Sequence, residues 1–208
     1  MLDDLGKKNV NIDNIAKRAL EDDKVLSELF EGILSKKDTI RYNSFKVFML
    51  LSDEHPEVLY PKWDFFVELL SSDNTSHRNI AVNILANLTS ADKENRFEKI
   101  FDQYYNLLDD ESVIPAAQLA GNSGKIAQAK PKLQTKITKK LLGIDETHHE
   151  QQRKELIKSY AIKSLSEYFE QAENKKEIIE FVKKQLESKS PKTRKTAKEF
   201  LKKCDKSN

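Results

Sequence analysis

A single cysteine, Cys204, excludes an internal disulfide from this 208-residue chain. It falls on an apolar stripe, where a buried thiol is the expected reading. Glycine and proline number only five each, and a third of the residues are charged, which suits long helices and argues against loop-rich or disordered classes. No run approaches the ~20 apolar residues that a membrane span needs. The opening residues, MLDDLGKKNV, lack the basic and then apolar pattern of a secretory leader, so a soluble cytoplasmic protein is expected. Catalytic patterns are missing too: no nucleophile–base–acid triad, no paired carboxylates in an apolar setting and no metal-ligand spacing. Gly121 to Lys125 looks superficially like a phosphate loop, but Leu119 stands where the first glycine belongs and Ile126 where a magnesium-binding hydroxyl belongs. His148, His149 and Glu150 are adjacent, and adjacent helical residues point about 100° apart, which suits no shared ion. No cofactor, metal or catalytic residue is assigned, and a non-enzyme is expected.

What the chain has is a recurring helical frame. Counting from Arg78, Ala81 lies at plus three, Leu85 at plus seven and Leu88 at plus ten, all on one face of a 3.6-residue helix. Arg41 is followed in the same register by Ser44, Phe48 and Leu51. Ile114 leads to Ala117, Gly121 and Gly124; Lys158 to Ala161, Leu165 and Tyr168; Arg194 to Ala197, Leu201 and Cys204. The zero positions 41, 78, 114, 158 and 194 are 37, 36, 44 and 36 residues apart. A period of about 20–50 residues marks a stacked array. An amphipathic stretch precedes each frame, with Leu29, Phe66, Phe101, Ile137 and Val182 among its apolar residues. The unit is helix A, turn, helix B. Asn11 to Leu20 forms an extra short helix that caps the first unit, and residues 1–10 read as a frayed start.

The turn residues followed by a basic or small-residue helix (Asp38-Thr-Ile-Arg41, Asp73 before Arg78, Ser190-Pro-Lys-Thr-Arg194) resemble the HEAT repeat family, over about residues 22–204. The resemblance implies an all-α, right-handed α-solenoid, armadillo-like, of about five helix pairs. As one domain over 1–208 it divides into a cap at 1–21 and repeats at about 22–55, 56–90, 91–128, 129–172 and 173–208. The fourth repeat is eight residues too long, and the segment that holds the surplus, Ile144 to Glu155, reads as extra turns at the start of helix B. Gly143 reads as a left-handed C-terminal residue of the preceding helix. Gly121 and Gly124 replace large residues of other repeats, which implies very close packing or a local break. Trp63, Phe65, Phe66 and Tyr60 read as core more than as a binding patch.

In such arrays the B helices line the concave side and offer it for binding. The frame makes plus one, five and eight the exposed B positions. Candidate partner-binding residues are therefore Tyr42 and Lys46, Asn79 and Asn83, Asn122, Lys163, and Lys195 and Lys202. Asn79, Asn83 and Asn87 share one face, either to hydrogen-bond a partner or through indifference at exposed sites. Charge is lopsided: residues 1–110 hold 14 Lys and Arg against 21 Asp and Glu, a balance of −7, whereas residues 111–208 hold 22 against 13, a balance of +9. The expectation is a monomeric protein scaffold that binds an extended, acidic protein or peptide, with weak or no nucleic-acid binding and no membrane contact. The alternative, implied by other HEAT-like arrays, is a nucleic-acid binder such as an alkylated-base DNA glycosylase.

Overall fold

The protein is described by a computed structural model covering residues 2–204. Among those residues every regular element is helical. A short helix α1 (Leu2–Leu5) precedes the cap helix α2 (Ile12–Glu21). Helix pairs follow: α3 (Asp23–Ile33) with α4 (Asp38–Glu54), and α6 (Trp63–Leu69), preceded by the single turn α5 (Pro56–Leu59), with α7 (Thr75–Leu88). Next come α8 (Arg96–Tyr105) with α9 (Val113–Ala129), α10 (Gln134–Leu142) with α11 (Gln151–Tyr168), and α12 (Lys175–Lys184) with α13 (Pro191–Cys204). The helices group into two compact units, residues 1–93 and 94–208.

In the first unit α4 and α7 lie side by side, with α3 and α6 on their flank. Phe30, Phe48, Phe65 and Phe66 interlock there, Phe30 against Phe48 at 4.7 Å and edge-on to Phe65 at 4.9 Å. Trp63 is fully buried, and Tyr60 donates to Asp92 at 2.7 Å. The aromatic cluster is core. Residues 2–10 do not form a frayed start: Leu5 is buried, and the Asn43 amide donates to the Leu5 carbonyl at 2.8 Å. Helix α2 packs on α3 and α4, as a cap must.

In the second unit α9, α11 and α13 form a row. The α9–α11 contact is the closest, and the glycines explain it. A Cβ on Gly124 would lie 2.8 Å from the Ser164 carbonyl, and one on Gly121 would lie 3.1 Å from the Tyr160 ring. The Ser164 hydroxyl bonds across to the Ala120 and Gly121 carbonyls at 2.5 and 2.8 Å. Helix α9 runs unbroken through both positions, so the glycines serve close approach and mark no break.

The frame holds where it is densest. Ser44, Ala81, Ala117, Ala161 and Ala197, all at plus three, are buried. At the end of the row Leu201 and Cys204 are only half-buried, so the thiol is less enclosed than its stripe position implies. The zero position has a structural job. Arg41, Arg78 and Arg194 each donate to the carbonyl six residues earlier, on Ser35, Ser72 and Ser188, at 2.8, 2.7 and 2.6 Å. Each guanidinium thereby ties the start of helix B to its own turn. Ile114 cannot do this and is 54% exposed. There the Asp110 carboxylate takes the Ser112 amide at 2.8 Å and Ser112 caps α9 instead.

The fourth repeat departs from expectation. Its surplus is split: residues 151–155 do lengthen the start of α11 by about one turn, whereas the residues before Gln151 stay outside the helix. Gly143–Glu146 form a 3₁₀ turn and residues 147–150 are irregular. Gly143 is not left-handed, with φ −83°. The Asp109 carboxylate grips this segment through the His148 amide at 2.7 Å and ring Nδ1 at 2.6 Å. His149 is buried beneath, its ring 4.5 Å from that of His148 and its Nε2 3.2 Å from the Leu108 carbonyl. Lys158, at the zero position and 4% exposed, pairs with Asp145, whose carbonyl also accepts from Lys154 at 2.9 Å. These tertiary bonds outweigh a helix preference worth at most a few tenths of a kcal/mol per residue.

Candidate partner-binding surface

The expected binding residues divide by whether the fold already uses them. Tyr42 is 61% exposed on α4, and Lys46 one turn on lays its ammonium 4.9 Å above the ring. This pair is a preformed aromatic–cation contact, available at its outer edge.

The α7 amides behave differently. From Ile80 to Leu88 every side chain is buried, so this helix has no exposed plus-five or plus-eight position. Asn83 is 6% exposed and donates to the Asn79 carbonyl at 2.7 Å. Asn87 donates to the Ser52 hydroxyl on α4 at 2.8 Å. A buried amide must find partners, and these found theirs inside the fold. Asn79 is half-buried beside them. The expectation that Asn79, Asn83 and Asn87 form an outward strip is corrected: Asn83 and Asn87 are interior, and Asn87 joins two helices. In α9 the plus-five residue Leu119 is likewise buried, and Asn122 is half-buried.

The second unit does bring candidates together. Lys163 of α11 and Lys202 of α13 are exposed and line one cleft with Ser166, Glu199 and Lys203. Its floor is Ile162, Thr196 and Phe200, all buried. Phe169 meets the Phe200 ring edge-on at 5.1 Å and holds it in place. The cleft volume is about 390 Å³. Lys195, one turn away, lies 3.8 Å from Glu199. Beyond it, Lys192 stacks 4.1 Å above the Tyr160 ring. Sequence reasoning found the lysines but missed the floor, because Ile162 and Phe200 are indistinguishable there from other stripe residues.

Helix α13 is held firmly enough to carry such a surface. Glu155 is buried, and its carboxylate accepts the Lys189 and Ser190 amides at 3.2 and 2.8 Å, just before the start of α13. Burial pushes this carboxyl up, while those amides and the Ser188 hydroxyl pull it down further, leaving it below the ordinary glutamate value. The anion also sits where a helix N-terminus favours negative charge.

A larger groove, about 660 Å³, runs between α8 and α10, with Lys136, Lys139 and Lys140 facing Asp102, Asp109 and Glu146. Part of its lining is already engaged: Lys140 lies 3.6 Å from Asp102, and Asp109 is held by His148. No group of three or more His, Cys, Asp or Glu among the described residues is arranged to hold a metal ion. No helix among them is long and apolar enough to cross a membrane.

Compared with known proteins, the chain matches no family model and no curated sequence. It is similar in structure to a designed armadillo repeat protein in complex with the peptide (KR)4, at 16% identity and a TM-score of 0.56, over 92% of this chain and 89% of that one. It is also similar to a second designed armadillo repeat protein, at 15% identity and a TM-score of 0.53, over 97% of each chain. The fold is an all-α solenoid of the armadillo/HEAT type. These likenesses lend no support to the nucleic-acid alternative, and Trp63, the aromatic considered for it, is sealed in the core.

Proposed function

We propose that the chain is a non-catalytic scaffold whose B-helix face, concave in arrays of this type, binds an extended acidic segment of another protein. One observation carries the reading: Lys163 and Lys202, on neighbouring B helices, flank a single cleft with a buried apolar floor. An extended ligand on such a surface needs no chemistry from the protein, only pockets at regular spacing and a complementary charge. The similar structure in complex with the peptide (KR)4 is a protein of this fold type with a peptide bound, which supports the reading. That peptide is basic, however, whereas the exposed B positions of the second unit include Lys163, Lys195 and Lys202, which favour a partner of the opposite sign. Tyr42 and Lys46 offer a second contact in the first unit. The half-buried Asn79 and Asn122 are further, lesser contacts.

Selection of random peptides displayed on phage tests this without knowing the partner. Enrichment of Asp- and Glu-rich sequences, with slowed amide exchange in α11 and α13, is the expected result. Enrichment of basic sequences, or protection confined to the α8–α10 groove, contradicts it.

A further inference from the structure

The cleft between α11 and α13 has more definition than a basic patch, and its layout specifies a pattern in the ligand. Resting on the scaffold reading above, we infer that this cleft seats one apolar side chain of the partner segment with a carboxylate two residues away on each side. The floor, Ile162, Thr196 and Phe200, lies below the level of the rim and presents mainly carbon. The rim is cationic on both banks: Lys163 stands on α11, and Lys202 and Lys203 stand on α13. The one acidic rim residue, Glu199, has its charge offset by Lys195. Lys163 and Lys202, one on each bank, leave the rim positive.

The pattern follows from chain geometry. In an extended peptide, residues i and i+2 point the same way, about 6.6 Å apart. A side chain aimed at the floor therefore has its two same-face neighbours over the banks, where the lysines are. A volume of about 390 Å³ lies within the range of ligand pockets and has room for one apolar side chain together with the adjoining backbone. The ligand class is an acidic–x–apolar–x–acidic segment of a protein.

The test uses the full chain and a fluorescent peptide with the core Glu-Ser-Leu-Ser-Glu, read by anisotropy. The expected result is binding that weakens about tenfold when Leu is replaced by Ser. It weakens about tenfold again in the Lys163→Glu, Lys202→Glu protein, and high salt, with a Debye length of ~3 Å at ~1 M, suppresses it. A peptide with Lys in place of Glu does not bind. Ser166→Trp puts an indole into the cleft over the floor and removes binding at unchanged helicity. If the double charge reversal and Ser166→Trp both leave affinity intact, the cleft assignment is overturned while the scaffold reading survives. The same holds if displayed peptides bind but this core does not. If the Lys peptide binds as well or better, or a duplex oligonucleotide displaces the Glu peptide at lower concentration, the ligand class is wrong. If sedimentation shows self-association that Lys163→Glu abolishes, the occupant is a second copy and the assignment is overturned. If neither this core nor any displayed peptide binds, both readings fall.

Discussion

Asn83 of α7 and Glu199 of α13 stand at the same place in the repeat frame, five residues after their arginines. Asn83 is 6% exposed and bonds its own helix, whereas the Glu199 side chain is 59% exposed and pairs with a neighbour on the surface. Helix α7 is enclosed from Ile80 to Leu88 and spends its amides on internal partners. Helix α13 buries Thr193, Thr196, Ala197 and Phe200 and leaves its lysines in water. One register thus yields core in one helix and surface in another. The side chains able to meet a partner are those that the fold has not already used.

The sharpest way to break this comparison is to place one charge at matched positions. Leu85→Asp in α7 puts an unpaired carboxylate where nothing is exposed, and the expected loss is about 4 kcal/mol or more, read by urea melts. Leu201→Asp in α13, where the residue is half-buried, is expected to cost only about 1–2 kcal/mol. Equal losses would mean that α13 is enclosed as α7 is.

Next in size is the anchoring of α13. Glu155→Ala leaves the Lys189 and Ser190 amides without their acceptor and is expected to cost about 2 kcal/mol. Because the folded carboxyl lies below its ordinary value of 4.5, its contribution is present above that value and is lost as pH falls through the lower folded value. Glu155→Gln should therefore flatten the acid limb of a melting-temperature profile. Gly124→Ala comes third, at about 1–3 kcal/mol, since the new methyl meets the Ser164 carbonyl and the Glu167 carboxylate. That outweighs the ~1 kcal/mol an alanine gains over glycine in a helix.

A smaller, pH-dependent effect belongs to His149. Burial, with His148 second, lowers its pKa below 6.5 in the fold. The unfolded chain takes up the proton first, so stability is full above pH 6.5 and declines below it. The melting temperature should fall modestly between pH 7.5 and 5.5, and His149→Phe should reduce that slope.

The repeat frame was legible because small residues recur at plus three and large ones at plus seven in every repeat but the third, a signal that burial imposes. Arginine at position zero was legible as a marker but not as a clamp, since the carbonyl it holds carries no side-chain signature. The exposed strip was half legible. Periodicity separates the two faces of one helix, but it cannot tell whether the polar face is covered by further structure, and for Asn83 and Asn87 it is. The fourth repeat misled because Glu, Gln and His over 146–155 favour helix locally, whereas one carboxylate on Asp109, far off in sequence, holds 147–150 out of it. Lys163 and Lys202 could be named from sequence; that they share a cleft floored by Phe200 could not.

Chemical-shift mapping puts the central contrast to one measurement. An isotope-labelled chain is titrated with the Glu-Ser-Leu-Ser-Glu peptide, and the backbone amide shifts are followed. Shifts concentrated at 162–166 and 195–203, with the amides of 79–87 unmoved, are the predicted result. Shifts centred on α7, or spread over α8 and α10 with the α11–α13 cleft silent, would contradict it.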